Sequence, residues 1–418
     1  MKKWFVILLL TCSKTFGQSF TLDKVNELAR QNYPLIKQQE LINKTRDISI
    51  ENLQKNFLPQ FSLSGQATYQ SDVTQIAIPI AGVTIDPLNK DQYKLLADVN
   101  ELVYDGGVIK QQKQLQQINA EVQQQQVDVE LYKLNDRINQ LYLSVLYLDE
   151  QLLQTGLVQK DLETGMNNVQ ALVNNGVAFK SNYNLLKAEW LKADQRAIEL
   201  KSSRKGLIET IGLFINQSIS EETVFEKPVI AETLISPDIK RPELQLYSSQ
   251  QKLYSGQNKL IDAKNLPKAN LFFQGGYGRP GLNFLQNKFD LFYTTGIRFS
   301  WAFGGLYTSK KEKEQVQINN QSVDVQKELF LLNTNTELKK QQSEIDKMQQ
   351  LIEKDDEIIA LRLSVKDAAK AQLQNGVISA NDYLLEVNAE DEARQLKITH
   401  QLQLLQAKIN YQTISGNK

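Results

Sequence analysis

From Phe61 to Tyr69 the odd-numbered residues are Phe61, Leu63, Gly65, Ala67 and Tyr69, and Ser62, Ser64, Gln66 and Thr68 stand between them. A period of two is the mark of a strand with one apolar face. The pattern returns through Tyr93, Leu95, Ala97, Val99 and Val103, and again through Leu271, Phe273 and Tyr277. It is strongest through Phe289, Leu291, Tyr293, Ile297, Phe299, Trp301 and Phe303, which alternate with Asp290, Thr294, Arg298 and Ser300. Strands are therefore predicted at about 60–72, 92–104, 268–278 and 289–303. Each is long enough to cross a bilayer at a tilt, and aromatic residues gather toward the ends. Soluble hairpins with one buried face would give the same alternation. The strand number discriminates, because four strands cannot close a barrel and an open edge in lipid costs several kcal/mol per unpaired backbone group. In a membrane, several chains must share one barrel, and three chains would supply about twelve strands.

A different period rules the rest of the chain. No proline lies between Gly107 and Asn174, and Leu115, Ile118, Val122, Leu134, Ile138, Leu141, Val145, Leu148 and Leu152 recur at helical spacing. The stretch from Leu306 to Leu373 repeats this, with Ile345, Met348, Ile352 and Ile359 on one stripe and Leu351, Ile358, Leu361 and Val365 on another. Two stripes predict neighbours on two sides. At a rise of about 1.5 Å per residue such a helix measures about 100 Å, longer than a single-domain core requires. Each long helix is expected to turn at Asn174-Asn175-Gly176 or Asn375-Gly376, where Gly and Asn tolerate the left-handed conformation. Return helices are predicted over about 178–215 and 378–415, and helices leading into the strands over about 33–57 and 241–265. Stacked end to end, the two shorter helices of each set match the long one in length.

These elements come as two copies. Leu58-Pro59 and Tyr69 match Leu266-Pro267 and Tyr277 at an offset of 208. Asp105-Gly106-Gly107 matches Phe303-Gly304-Gly305 at offset 198, and NNGV at 174–177 matches QNGV at 374–377 at offset 200, a register that Tyr183/Tyr383 and Gln195/Gln395 keep. The change of offset places the extra residues of the first copy in the segment 70–91, as expected of a surface loop. The expected organisation is a signal peptide at 1–17, a first repeat at 18–220, a linker at 221–240 and a second repeat at 241–418.

The export signal consists of Lys2 and Lys3, the apolar run Trp4 to Leu10, and small residues up to an expected cleavage after Gly17. The run is too short to span a bilayer as an anchor. Cys12, the single cysteine, lies within it; a lipoprotein reading would acylate Cys12, although Thr11 fits that signal poorly. The full chain has 48 basic and 48 acidic residues, and loss of Lys2, Lys3 and Lys14 would leave 45 against 48, a net charge of −3. Nucleic acid, which needs a clustered basic excess, is not an expected partner. His400 is the single histidine, with no cysteine or carboxylate cluster at ligand spacing, and reads as structural. No paired carboxylates, Ser/His arrangement, phosphate loop or metal-ligand set emerges from the sequence, so no enzyme activity, cofactor or metal is expected.

With these residues in place, the chain resembles the TolC-like outer-membrane efflux family over nearly its whole mature length. The resemblance rests on Leu-Pro before each first strand (NFLPQFSLSGQATY and KNLPKANLFFQGGY), on Gly-Gly opening each long helix (YDGGVIKQQ and FGGLYTSKK), and on the tips NNGVAFKSNYNLLKAE and QNGVISANDYLLEVNAE. It implies a mainly α fold with a transmembrane β part. Each protomer would give four strands to a shared trimeric, twelve-stranded barrel above a long periplasmic α-helical tunnel. The implied function is an outer-membrane exit duct of an efflux or type I secretion system in a Gram-negative bacterium. Its implied partners are a periplasmic adaptor, an inner-membrane pump and outer-membrane lipid. A soluble periplasmic coiled-coil scaffold is the alternative from another class.

The resemblance also implies sites. Adaptor docking would fall on the tips Asn174, Asn175, Gly176, Val177, Asn375, Gly376 and Val377. The periplasmic gate would include Asp382, the first acidic position after Gly376. The second acidic position falls on Leu385, a departure from the family pattern, with Glu386 adjacent, and Asn182 stands at the equivalent of Asp382 in the first copy. Asp382 is alternatively a solvated acid in the first turn of a helix. Arg298, on the polar face of the last strand, is expected to line the barrel lumen, since a lipid-facing charge at mid-depth costs about 2 to 4 kcal/mol.

Overall fold

Proline sets the first division of the chain. Tyr33, held extended (φ −66°, ψ 128°) by the following Pro34, ends helix α1 (Leu22–Asn32), and helix α2 (Ile36–Lys55) starts afresh beyond it. The single helix expected over about 33–57 is thus shorter at its start and has a separate helix before it. The computed structural model describes residues 19–74, 87–230 and 238–417. The expected export signal with Cys12, the apolar part of the expected 70–91 loop and the middle of the expected 221–240 linker lie outside the described residues.

The remaining elements follow in the order β1 (Ser19–Phe20), β2 (Gln60–Tyr69), β3 (Asp91–Tyr104), α3 (Val108–Asn174), α4 (Lys180–Ile215), β4 (Val224–Phe225), α5 (Pro242–Lys264), β5 (Lys268–Arg279), β6 (Asp290–Ser300), α6 (Gly304–Gln374) and α7 (Ala380–Ser415). Helices α3 and α6 run for 67 and 71 residues. Among the described residues no helix is long and apolar enough to cross a membrane. The chain divides into two compact units. One, here the strand unit, comprises Gln38–Gln126 and Gln245–Lys327; the other, the helical unit, comprises the described parts of Met1–Lys37, Val127–Leu244 and Glu328–Lys418. Each unit draws on both halves of the sequence, so the compact units cut across the sequence copies.

In the strand unit the four long strands form one antiparallel sheet in the order β2-β3-β5-β6. The hairpins β2-β3 and β5-β6 meet along β3 and β5, with one register irregularity between Leu102 and Tyr104. Strands β2 and β5 begin, and β3 and β6 end, at the same end of the sheet, so all four adjoining helices connect there. At β3 the turn into α3 is built by Asp105, whose carboxylate accepts from the amides of Gly107 (2.8 Å) and Ile109 (2.6 Å). Gly106 and Gly107 adopt φ of +75° and +83°, which favours glycine. A Cβ on Gly106 would lie 2.7 Å from the Ala263 carbonyl oxygen. The matching Gly304 and Gly305 instead begin helix α6 without a left-handed residue, so the duplicated pair does two different jobs.

The helical unit has its main core where α3, α4, α1 and α7 meet: Ile138, Tyr142 and Val145, then Ile208, Ile211 and Ile215, then Val25 and Ala29, then Leu402, Leu405 and Ile409. Strands β1 and β4, of 2 residues each, pair in parallel beside this core. The buried Tyr142 hydroxyl ties them, lying 2.6 Å from the carbonyl oxygens of both Phe20 and Glu226. Of the two stripes expected on α6, Ile345 and Met348 are buried, whereas Leu351, Ile358, Leu361 and Val365 are exposed. Among the described residues no element covers the second stripe.

Candidate functional site in the open sheet and at the helix tips

Strand alternation gives the sheet two unlike faces. Cross-strand partners such as Leu63 and Ala97, Leu95 and Tyr277, and Tyr277 and Leu291 put the odd-numbered residues on one face. That face is apolar and uncovered: Phe61, Tyr69, Leu291 and Phe299 are 79%, 79%, 78% and 77% exposed. A water-soluble sheet buries such a face. Aromatic residues mark both ends of it. Tyr69, Tyr93, Tyr277 and Phe289 lie toward the hairpin end, where Phe289 stacks on Tyr93 and Tyr277 with ring centroids 6.2 and 5.5 Å apart. Trp301 and Phe303 pack together at the helix end, centroids 4.7 Å apart, and the Trp301 indole donates to the Asn265 carbonyl at 3.0 Å. Phe61 and Tyr69, at opposite ends of β2, are about 26 Å apart at the usual strand rise, close to the height of a lipid-facing band. The order β2-β3-β5-β6 leaves the outer edges of β2 and β6 with no strand partner among the described residues.

The even-numbered residues form the opposite, mainly polar face. Gln274 donates to Asp98 at 2.6 Å, and Arg298 stacks on Phe272 with its guanidinium 4.6 Å from the ring centroid. Two glycines on this face are covered by cross-strand phenylalanines: Phe292 and Leu96 close over Gly276, and Phe272 lies over Gly296. Arg298 is therefore on the face opposite Leu291, Tyr293, Ile297 and Phe299.

The two tips in the helical unit share one backbone design. At the first, Gly176 donates to the Val173 carbonyl (3.0 Å) and Val177 to that of Leu172 (2.8 Å); at the second, Gly376 donates to Leu373 (3.1 Å) and Val377 to Gln372 (2.9 Å). Both are Schellman caps, with Asn175 or Asn375 at the helix end and glycine left-handed at φ +72° or +70°. Val177, Phe179 and Val377 are exposed. The tips lie side by side, since a Cβ on Gly376 would stand 3.4 Å from the Val177 side chain. Asn174, the last residue of α3, accepts from Gln170.

Beyond the tips the copies diverge. Asp382 closes a capping box with Ser379: its carboxylate accepts from the Ser379 amide (3.0 Å) and hydroxyl (2.7 Å), and the Ser379 hydroxyl oxygen accepts from the Asp382 amide (3.3 Å). These bonds hold the Asp382 carboxyl below the ordinary range. In the first copy Phe179 occupies the cap position with no side-chain bond, and the Asn182 amide donates to the Phe179 carbonyl at 3.0 Å. Leu385 is exposed one turn after Asp382, whereas Glu386 faces Arg362 on α6, 3.9 Å away. Asp382 and Glu386 thus meet different partners.

Packing behind the tips comes from Leu162, Met166 and Val169 of α3, Leu186 of α4, Leu373 of α6, and Tyr383 and Val387 of α7. Burial pushes the Tyr383 phenol well above its ordinary value, and its hydroxyl donates to the Asp161 carbonyl at 3.2 Å. A buried ionic cluster adjoins this core: the Lys366 ammonium is 2.6 Å from Asp161 and 3.4 Å from Glu390, which also binds Arg394. Sequence reasoning passed over this cluster; only Glu390 and Arg394, four apart on one helix, left a visible trace. His400, expected to be structural, has one carboxylate partner: Asp355 of α6 lies 2.7 Å from its Nδ1. One carboxylate makes a structural pair, and among the described residues no group of three or more metal-ligating side chains exists.

No family model and no curated protein matches the sequence. Solved structures do. The outer membrane protein VceC of Vibrio cholerae superposes with a TM-score of 0.66 at 12% identity, covering 95% of this chain and 96% of its own. The CmeC outer membrane channel of Campylobacter jejuni gives 0.62 at 12% identity, over 94% of this chain and 85% of its own. The open-state MtrE outer membrane channel of Neisseria gonorrhoeae gives 0.64 at 13%, over 95% and 89%. Identity this low speaks for architecture, and at near-complete coverage the chain has the fold of these outer-membrane proteins, strands and helices together.

Proposed function

We propose that the chain is the outer-membrane exit duct of an efflux or type I secretion system, conducting substrates passively outward. The observation that carries this reading is the sheet: a continuous exposed apolar face, aromatic at both ends, on four strands whose outer edges are open. Lipid suits that face, and further copies suit those edges. Because neighbouring strands alternate in direction, β2 and β6 of successive copies would meet antiparallel, so a ring of copies closes without any change in the sheet. Three copies give about twelve strands, an even number within the range of such barrels. The uncovered stripe Leu351, Ile358, Leu361 and Val365 offers the helical unit an apolar seam for the same neighbours.

The tips, with Val177 and Val377 exposed on rigid glycine caps, are the proposed docking points for a periplasmic adaptor, through which an inner-membrane pump would supply the energy. The proposed periplasmic gate centres on Asp382, kept ionised by its cap bonds, with Leu385 exposed beside it. Glu386, turned toward Arg362, and Asn182, the uncharged counterpart of Asp382 in the first copy, would contribute less field. Fractionation of cells tests the duct as a whole. We expect the protein in the outer membrane as an oligomer that dissociates on heating in detergent; recovery in the soluble periplasm without such an oligomer overturns the reading in favour of a scaffold.

A further inference from the structure

We infer that the polar face of the sheet is a cation-lined surface that favours organic anions bearing a ring or alkyl body, with Arg298 as the residue that reads the anionic group. The inference rests on the duct reading, in which this face borders the water-filled passage.

The charges on this face do not balance. Lys94, Lys268 and Arg298 lie on it by register, and none of them takes part in an ion pair among the described residues. Against them stand Asp98, which accepts from the neutral Gln274 amide and keeps its charge, and Asp290 at the hairpin end, which faces Lys288 at 3.8 Å. By contrast, Arg241 is neutralised by Glu243 and Arg279 by Asp91. By register, three cations, Lys94, Lys268 and Arg298, thus face two carboxylates, Asp98 and Asp290, and the cations are in excess. Repeated around a closed ring between low-dielectric walls, they would focus a positive potential across the passage.

Arg298 is also pre-positioned. Phe272 fills the space over Gly296, and the guanidinium lies against the ring with its centre 4.6 Å from the centroid. Stacking engages one face of the guanidinium and leaves its N–H edge to fork a carboxylate or sulfonate. A second apolar spot, formed by Phe292 and Leu96 over Gly276, lies four residues along β5 from Phe272, about 13 Å at the usual strand rise. The apolar body of an amphipathic anion would find ring surface on an otherwise polar wall. If the phenylalanines serve only to fill the glycine gaps, Arg298 is just a solvated charge and discriminates nothing.

The test uses the purified full-length oligomer in planar bilayers, with reversal potential measured in a potassium chloride gradient and current block measured with naphthoate. Arg298→Gln is expected to shift the reversal potential toward that of potassium and to weaken the block, while Arg298→Lys keeps the reversal potential and loses part of the block. Lys268→Gln, at the exposed start of β5, reads the same field without touching the Arg298 stack. Unchanged reversal potential and unchanged block in both glutamine variants overturn the inference and leave the duct standing. Absence of channel currents from the membrane-inserted wild-type oligomer overturns the duct reading, and the inference with it.

Discussion

Ser379 and Asp382 clamp each other across the first turn of α7, each accepting a hydrogen bond from the other's amide, at 3.3 and 3.0 Å. Ser379→Ala is therefore expected to cost about 1 kcal/mol of local helix stability. Hydrogen exchange over the first turns of α7 reads this, with the uncapped start of α4 as internal reference. The pH dependence has a definite sign. A carboxyl held below its ordinary value stabilises the fold above the unfolded carboxylate range, and that contribution disappears as pH falls through the folded value. Equal protection in Ser379→Ala and wild type would remove the cap from the account.

The gate reading of Asp382 needs a separate measurement, because its carboxylate already has a structural job. We expect Asp382→Ala to raise single-channel conductance or lower cation selectivity in planar bilayers. Ser379→Ala, which loses the cap but keeps the charge, is expected to do neither. Identical currents in all three proteins would leave Asp382 as a capping residue only.

Lys366 is expected to be the least replaceable charge near the tips. Lys366→Met leaves Asp161 without a cation and the buried Glu390 with Arg394 alone, and breaking a buried pair typically costs about 3 to 5 kcal/mol. Adding Asp161→Asn to Lys366→Met is expected to recover part of the loss, since Asp161 is then uncharged and Glu390 keeps Arg394 as its partner. Denaturation midpoints check both; a single variant as stable as wild type contradicts the burial argument.

The two Gly-Gly pairs should respond differently to alanine. Gly106→Ala places a Cβ at positive φ against the Ala263 carbonyl and the Leu266 side chain, with backbone strain alone of about 1 to 3 kcal/mol. Gly304→Ala meets open space at the start of a helix. Assembly yields should fall for the first substitution and hold for the second.

Lysine scanning distinguishes the faces of β6. Ile297→Lys, on the apolar face, is expected to cost about 2 to 4 kcal/mol if that face meets lipid at mid-depth, and to deplete the membrane-bound oligomer. Thr294→Lys, on the other face, is expected to assemble normally. Equal behaviour of the two would speak for a sheet in water.

Much of this architecture is legible in the sequence because period and length are local properties. Alternation in Phe289–Phe303 shows a strand and its apolar face, and the glycine after Asn175 or Asn375 shows where a long helix must turn. The Ser379-x-x-Asp382 spacing likewise carries the signature of a capping box. What escapes is contact across distance. The pairing of Ser19–Phe20 with Val224–Phe225 is too short to leave a period, and Lys366 meets Asp161 only because the helices carry them together. Pro34 could have been read as a break, but the apolar periodicity on either side of it runs on.

The open edges of β2 and β6 bear finally on how the molecule comes to exist. A single chain keeps two open strand edges and, among the described residues, an apolar sheet face with nothing to cover it. In the proposed ring the folded state belongs to the population rather than to one chain, so the denaturation midpoint should rise with protein concentration; a midpoint independent of concentration would count against the ring.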